Sequence, residues 1–264
     1  MLSLDRWMAF VTHDIVKYLL AAGGAYVLVY GVLAARLASR RLQTARSDLL
    51  QIGREVGWSL VSAVIFGTAS LLLVIGPGEL GWNRMYFDIG AWGWPYALFT
   101  LALMIVAHDA YFYWTHRLLH HPVLMRRMHR THHLSRTPTP WTAYAFHPSE
   151  AVVQVAFPPL FAALIPLHPL ILLLWSVHMV VRNVLGHAGF ELMPAGFARC
   201  RWLGWLTTAT HHDLHHETFG WNYGLYFTWW DRLMGTEHPD YLERFDAATG
   251  ALRKPEAAEA TSQL

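Results

Sequence analysis

Two short stretches of this 264-residue chain are unusually rich in histidine. The first, residues 108–133, reads HDAYFYWTHRLLHHPVLMRRMHRTHH and contains seven histidines. The second, residues 211–216, reads HHDLHH. Neutral imidazole is a common metal ligand, so the simplest explanation for two such dense stretches is a metal site.

The histidines recur at helical spacing. His116 and His120 are four residues apart, so on a helix their side chains project from one face, one turn apart. The pattern His-x-x-His-His occurs twice, beginning at His129 and at His212. In a helix the two later members of each triplet lie on either side of the first, about 60° and 40° away. The pair and the triplets supply eight nitrogens, roughly twice what one first-row ion binds, which suggests two metals.

The type of ligand narrows the chemistry. Catalytic zinc sites use about three protein ligands and keep one position open, so they seldom need so many imidazoles. Iron accepts imidazole ligands, changes valence and can activate dioxygen. The histidine pattern therefore favours an oxygen-activating iron site.

The composition indicates a membrane protein. Hydrophobic residues make up 54% of the chain and charged residues only 14%, against roughly 25% charged residues in soluble domains. The net charge of +2 gives no reason to expect a nucleic-acid partner. The single cysteine, Cys200, excludes a disulfide framework and cysteine-based metal sites. A membrane location implies a lipid substrate that enters sideways from the bilayer. Together with an oxygen-activating iron site, this predicts oxygen-dependent attack on an unactivated C–H bond of a lipid.

The apolar segments predict an all-α integral membrane protein of about four transmembrane helices, the last pair forming a hairpin. Single spans are expected at 15–37, 56–75 and 95–114, and the third leads into the first histidine stretch. Residues 151–185 are also apolar but are divided at 166–169, which predicts a helical hairpin that turns there. Each half of the hairpin is slightly short for a crossing of ~30 Å.

The distribution of arginine predicts the orientation. Five arginines lie within residues 36–54, whereas residues 79–94 contain only Arg84. The loop between the first two spans is therefore expected in the cytoplasm, together with the metal site and the C-terminus. His168, in the turn of the hairpin, would lie across the membrane from the metals. The excess of arginine over lysine, 18 against two, is typical of a GC-rich bacterial genome, so we expect a bacterial inner membrane.

The same segments suggest three parts of the chain. Residues 1–94 would form N-terminal membrane anchor helices, and residues 95–240 the catalytic domain. Residues 241–264 show no periodic apolar pattern, so a flexible C-terminal tail is expected there.

Several motifs stand in an order that is typical of one family. They are His116-Arg117-x-x-His120, His129-x-x-His132-His133, His147-Pro148-x-Glu150, His212-x-x-His215-His216 and Trp230-Asp231-Arg232-x-x-Gly235-Thr236. In these motifs, across roughly residues 90–240, the chain resembles the fatty acid hydroxylase/sterol desaturase superfamily. The resemblance implies two iron ions, with O2 as co-substrate, in a cytosolic helical cap over about four membrane helices. Members of the superfamily hydroxylate or desaturate sterols, fatty acyl chains, carotenoids and other lipids.

The resemblance also implies a set of iron ligands. Carried over motif by motif, these are His116, His120, His129, His132, His133, His187, His212, His215 and His216. His108 and His211 adjoin the motifs and are weaker candidates. Fatty acyl 2-hydroxylases, which are similar in motif order, have a further histidine one turn before the position of His187. Asn183 stands there in this chain and could hold a metal-bound water.

Polar residues near the ligands could orient them, because ligating imidazoles usually donate their second N–H to a carboxylate or a carbonyl. Asp109, Asp213, Glu217 and Asp231 lie beside or near the ligands and could take this role, and Asn183, through the water it could hold, is a further candidate for supporting them. His147 is open to two interpretations, as part of an interfacial turn or as a similar support for the ligands.

We therefore expect a membrane-bound di-iron oxygenase that hydroxylates a lipid with O2 and external electrons. A lipid desaturase would use the same ligands and is the alternative within enzymes. A membrane metal transporter is the alternative from another class, with His108, Asp109 and His178 along an ion path through the bilayer. No fused cytochrome b5-like domain is recognised in the sequence, so the electrons would come from a separate donor of ferredoxin or cytochrome b5 type with its reductase.

Overall fold

A computed structural model describes residues 3–79, 81 and 83–251 of the chain. This part is helical, and its only β-type pairings are isolated bridges such as Arg41 with Phe190. We number the principal helices α1 (Leu4–Val32), α2 (Leu49–Glu79), α3 (Gly93–Leu119), α4 (residues 122–133), α5 (Pro148–Val155), α6 (Phe157–Leu164), α7 (Pro169–Gly186), α8 (Ala209–Thr218), α9 (Trp229–Leu233) and α10 (Tyr241–Thr249). Shorter helical turns lie at Ala34–Leu37, Ala38–Arg40, Ile89–Ala91, Pro140–Tyr144 and Phe197–Arg199.

Four helices in the described ranges are long and apolar enough to cross a membrane: Leu4–Val32, Leu49–Gly76, Gly93–Leu119 and Pro169–Gly186. This confirms the predicted all-α membrane fold with about four spanning helices. The predicted spans 56–75 and 95–114 lie inside α2 and α3, which extend further at both ends because helices continue beyond the apolar core of a span.

The predicted first span, 15–37, is wrong at both ends. The helix begins at Leu4, where the side chain of Ser3 accepts a hydrogen bond from the Arg6 backbone N–H at 3.3 Å. Asp14 and Lys17 do not interrupt it, because they form an ion pair with each other within one turn. The first span therefore lies earlier in the chain than the apolar pattern predicted, at Leu4–Val32 instead of 15–37.

The predicted hairpin forms, with its turn at 165–168. His168 caps α7 by accepting a hydrogen bond from the Leu170 N–H at 3.1 Å, and Pro169 occupies the first turn, where its missing N–H is not needed. The first arm is broken at Ala156 into α5 and α6, because Pro158 has no N–H with which to continue the helix. Of the two arms, only α7, with 18 residues, is long enough to span a membrane.

Two apolar clusters fix the membrane helices around the site. Met104 of α3 packs with residues of α6 and α7, including Phe161 and Trp175. In the second cluster, Tyr18 of α1 and Phe66 of α2 enclose Tyr144. The segment Pro140–Tyr144 is thereby held between α1, α2 and α7, directly below the histidine-rich helices.

The prediction of a flexible tail from residue 241 is wrong for its first part. Tyr241 and Phe245 of α10 are buried against Leu214 of α8 and against Ala198. The apolar face of α10 covers little more than one turn, which is too short for a periodic pattern to be recognised. Residues 252–264, the rest of that predicted tail, lie outside the described residues. The predicted boundary between the N-terminal anchor helices, residues 1–94, and the catalytic domain, residues 95–240, stays a prediction.

Candidate metal centre

Five imidazoles, from α3 and the residue that follows it, from α4 and from α8, converge on one point, which we call site A. Their ligand nitrogens lie within 4.8 Å of one another. The Nε2 atom of His133 is 3.0 Å from that of His129, 3.2 Å from that of His120 and 3.1 Å from that of His215. Site A consists of His116, His120, His129, His133 and His215.

Four further imidazoles, all buried, form site B. The Nε2 atom of His187, which follows α7, is 3.4 Å from that of His132, 2.9 Å from that of His212 and 3.2 Å from that of His216. Sites A and B are adjacent, since the rings of His133 and His216 are 4.8 Å apart. Site B consists of His132, His187, His212 and His216. The structure thus brings together all nine histidines that the family resemblance implied as ligands.

Each His-x-x-His-His triplet is divided between the two sites. His129 and His133 belong to site A, and His132 between them belongs to site B. In α8 the division is reversed, because His212 and His216 belong to site B and His215 to site A. Residues four apart on a helix differ by about 40° in direction, whereas adjacent residues differ by about 100°. One helix turn therefore serves two neighbouring sites.

The hydrogen bonds on the outer side of the rings determine the tautomers. The Nδ1–H of His116 donates to the Tyr223 carbonyl at 2.9 Å, and that of His129 donates to the Glu150 carboxylate at 2.6 Å. The Nε2 atoms of these two rings then carry lone pairs that face each other across 3.1 Å. Two acceptors cannot form a hydrogen bond with each other, and this arrangement fits a cation bound between them.

The same pattern occurs on other ligands. The Nδ1–H of His215 donates to the Trp221 carbonyl at 2.6 Å, and that of His187 donates to the Asn183 carbonyl at 2.8 Å. Two nitrogens bound to one ion at about 2.1 Å, at angles of roughly 90–110°, lie about 3.0–3.4 Å apart. The Nε2 separations of 2.9–3.4 Å within the two sites agree with this range, so the residues fit two first-row metal ions.

Burial keeps these imidazoles neutral, which is the form that binds metal. It lowers the pKa of His187 to about 4. For His133 and His212, burial and the neighbouring imidazoles hold the pKa well below the ordinary value for histidine. No carboxylate lies within either group of ligands in the described part of the chain.

The loop between α8 and α9 supplies the carbonyls that orient His116 and His215. Asp231 fixes this loop by accepting from the N–H groups of Tyr223 and Gly224, both at 2.8 Å. Asp109 fixes its next part by accepting from the N–H groups of Tyr226 and Phe227. Neither carboxylate contacts a ligand of site A or B, so the predicted direct support from Asp109 and Asp231 is wrong. Both act through the backbone of the loop.

Glu150 is the support that the sequence interpretation missed. Its side chain is 0% exposed, and it is the carboxylate that accepts from the ligand His129. It stands three residues after His147, which instead caps α5 by accepting from the Ser149 N–H at 3.3 Å. The turn interpretation of His147 is therefore correct. The signal for Glu150 was its place in the first turn of an apolar helix, where an isolated carboxylate needs a partner.

The remaining candidates lie outside both sites. His108 is buried, and its Nδ1 atom pairs with the Tyr226 hydroxyl at 2.9 Å. The Nε2 atom of His211 lies 3.5 Å from the Asp231 carboxylate. The amide of Asn183 donates to the Ala143 carbonyl at 2.6 Å, while its backbone carbonyl orients His187. Asn183 thus supports a ligand through its main chain, and not through the side chain that the sequence suggested.

A cavity of about 430 Å³ lies below the two sites, between α1, α3 and α7. Its wall is mostly apolar and includes Phe112, whose ring is 4.9 Å from that of His116, and Phe146, whose ring is 5.2 Å from that of His132. The exposed residues His13 and Leu173 also line it, so it opens between α1 and α7. The volume is in the range of small-molecule pockets, and the rings of Phe112 and Phe146 separate the cavity from one ligand of each site.

Comparisons with known proteins agree with this architecture. The model of the fatty acid hydroxylase family matches residues 101–236. Rat lathosterol oxidase is 33% identical over 199 residues, which cover 73% of this chain and 64% of the rat protein. The Delta(7)-sterol 5(6)-desaturase of Gibberella zeae is 31% identical over 240 residues, covering 89% of this chain and 72% of the fungal protein.

A third relative is methylsterol monooxygenase 1 of the rat, which is 29% identical over 191 residues, covering 69% of this chain and 63% of that protein. The match thus spans slightly less than two thirds of both rat enzymes. No solved structure matches the chain. The family match over residues 101–236 and the identity with the fungal desaturase establish that the chain belongs to the fatty acid hydroxylase/sterol desaturase superfamily.

Proposed function

We propose that this protein is a membrane-bound, non-haem di-iron oxygenase that hydroxylates an unactivated C–H bond of a lipid. The observation that carries the proposal is the pair of adjacent imidazole sites beside an apolar cavity, whose lining rings Phe112 and Phe146 pack against a ligand of each site. The substrate class would be a sterol, a fatty acyl lipid, a carotenoid or a related lipid. Such molecules are largely apolar and match the wall of the cavity.

Sites A and B would each hold one iron, and together with O2 these irons would supply the oxidising chemistry. The protein's own residues then have separate tasks. The carbonyls of Tyr223, Trp221 and Asn183 hold the imidazoles in the tautomer that binds metal. Burial alone raises the pKa of Glu150, so a metal ion at site A would be what keeps its carboxylate ionised, and the negative charge behind His129 would in turn favour a cation there. Phe112 and Phe146 keep water away and guide the lipid towards the metals.

A lipid desaturase is the second candidate, and the names of two relatives favour it. Lathosterol oxidase and Delta(7)-sterol 5(6)-desaturase are relatives over most of this chain, whereas methylsterol monooxygenase 1 favours hydroxylation. The ligands of sites A and B do not by themselves favour either reaction. A metal transporter is disfavoured, because it would spread its ligands along the bilayer, whereas all nine imidazoles lie in two compact sites.

We further propose that the metal sites face the cytoplasm of a bacterial cell. Exposed Arg126, Arg127 and Arg130 lie on α4, which also carries three ligands, and cytoplasmic ends of spans are enriched in arginine. The electrons would come from a separate protein of ferredoxin or cytochrome b5 type. Reporter fusions after Arg136 and after Thr249 should report the same side of the membrane. Opposite sides would contradict this topology.

Oxygen labelling tests the function and separates the two reactions. The iron-loaded protein, in membranes with a reductant and a lipid extract, would be supplied with 18O2. A hydroxylase should place one labelled oxygen in a lipid product, whereas a desaturase should form an additional double bond without the label. Oxygen-independent conversion, or no lipid product in extracts from any host membrane tested, would contradict the proposal. His132→Ala, which removes a ligand of site B, should form no lipid product. His168→Ala, at the far end of α7, is its matched control.

A further inference from the structure

A pair of charged residues faces the cavity at the depth of the membrane spans. Asp14 and Lys17 of α1 form an ion pair, and the Lys17 ammonium also donates to the Ser176 hydroxyl of α7 at 3.4 Å. The side chain of Asp14 is 4% exposed and that of Lys17 is 13% exposed. All three residues line the cavity. Charged side chains inside membrane spans are costly and commonly mark a functional site.

This polar cluster, Asp14, Lys17 and Ser176, has unused hydrogen-bonding capacity. The Lys17 ammonium has three N–H groups, and two are engaged by Asp14 and Ser176. The ion pair uses the Oδ1 atom of Asp14, and no hydrogen bond in the described part of the chain engages its Oδ2 atom. That oxygen is not sealed in the protein interior either. The cluster therefore presents one acceptor and one donor to the cavity.

The cluster lies far from the metal sites along α7. Eleven residues separate Ser176 from His187, a ligand of site B, and this corresponds to about 16 Å along a helix axis. The cavity extends from the cluster along α7, where Met179 also lines it, to Phe112 and Phe146, whose rings pack against the ligands His116 and His132. One elongated molecule can thus contact the cluster with one end and approach the metals with the other.

We propose that the polar cluster binds the hydroxyl group of a lipid alcohol whose remote carbon is oxidised at sites A and B. The proposal rests on the function proposed above and names its substrate class. A hydroxyl group would donate to the Asp14 carboxylate and accept from the Lys17 ammonium. The ion pair has no net charge, so it offers no net attraction to a lipid carboxylate or a quaternary ammonium, and a hydrocarbon would leave both groups unmatched.

The geometry also limits where the lipid is attacked. Two distances reduce the length between the cluster and the metal sites: the hydrogen bond between the lipid hydroxyl group and the polar cluster, and the gap between the attacked carbon and the reacting group at the metal sites. Together they take up about 6 Å. The attacked carbon would then lie roughly 10 Å from the hydroxyl oxygen, given the rise of about 16 Å between the two ends. The hydroxyl group therefore serves as an anchor that sets the position of oxidation.

Binding measurements test the proposal without relying on turnover. Iron-loaded protein in nanodiscs would be titrated with octadecan-1-ol and octadecane, and with cholestanol and cholestane, each corrected for uptake by empty nanodiscs. In at least one of the two skeletons the alcohol should bind roughly tenfold more tightly than the hydrocarbon, as expected for one buried hydrogen bond to a charged group. Equal affinity in both pairs, or no binding of either alcohol, overturns the proposal.

Variants locate the effect. Asp14→Asn and Lys17→Met should each reduce the preference for the alcohol to less than about threefold, while the affinity for the hydrocarbon and the iron content stay the same. Asp5→Asn makes the same exchange on the same helix but outside the cavity wall, and should keep the preference. A preference that survives both cluster variants overturns the assignment. If the protein does not fold with either substitution, Ser176→Ala and the comparison of alcohol with hydrocarbon in the wild-type protein still test the proposal.

The outcome is distinguishable from failure of the proposed function. Lipid oxidation without any preference for alcohols would overturn the anchor alone. A preference that depends on Asp14 and Lys17, in a protein that oxidises no lipid, would retain the binding site and contradict the oxygenase.

Discussion

Replacing Glu150 by Gln tests how the protein holds site A. Glu150 is fully buried, and its Oε1 atom accepts from the Nδ1–H of His129 at 2.6 Å. Glutamine has almost the same shape, so the substitution removes the negative charge without opening a cavity. A hydrogen bond to a charged group contributes about 1.5–3 kcal/mol and a neutral one about 0.5–1.5. The difference, about 1–1.5 kcal/mol, corresponds to a roughly tenfold weaker binding of the ion at site A.

Glu55→Gln is the matched control for this change. Glu55 is equally buried, but it accepts from the Thr139 hydroxyl and from the Gln51 amide, and it contacts no ligand. Iron(II) binding would be measured anaerobically by competition with a chelator, alongside thermal unfolding of both variants. We expect weaker binding of one of the two irons in Glu150→Gln only. Unchanged binding of both irons, or an equal loss in the two variants, would refute the role assigned to Glu150.

Three further predictions address the ligands, the loop and the metals. His132→Ala and His215→Ala should abolish lipid oxidation and release iron, because each removes a ligand from a different site, whereas His168→Ala should retain both iron and activity. The reverse pattern would contradict the site assignment. Asp109→Ala leaves the Tyr226 and Phe227 N–H groups without their acceptor and should lower the free energy of unfolding by about 1–3 kcal/mol. Asp109→Asn retains an acceptor and should lower the free energy of unfolding by less. Equal unfolding midpoints for the two variants would argue against this contact. Removing iron with a chelator should speed hydrogen exchange in α4 and α8 but not in α7, because bound metal stabilises the helices that supply most ligands. The same change in exchange rate throughout the chain would show that metal does not order these helices.

The spacing of the histidines predicted much of the centre because most of the metal ligands lie on helices, at helical spacing. His116 with His120 and the two triplets could be read directly from helical periodicity. The same geometry could have predicted that each triplet divides between two sites, since adjacent histidines diverge by about 100°. His187 has no neighbouring histidine within its own turn, and it was nominated only from the family resemblance.

The contacts behind the ligands could not be predicted in the same way. His116 and His215 donate to backbone carbonyls of Tyr223 and Trp221, and a backbone carbonyl has no signature in residue type. The same holds for Asn183, whose main chain orients a ligand while its side chain binds elsewhere. The early start of α1 was missed because Asp14 and Lys17 neutralise each other, which a count of charges along the sequence does not reveal.

The number of irons in the active protein tests the central claim most directly. The wild-type chain would be purified anaerobically, assayed for lipid oxidation, and its iron measured by elemental analysis and Mössbauer spectroscopy on the same sample. Two adjacent imidazole sites with Nε2 separations of 2.9–3.4 Å predict two irons per chain. Full activity with a single iron per chain would contradict the di-iron account.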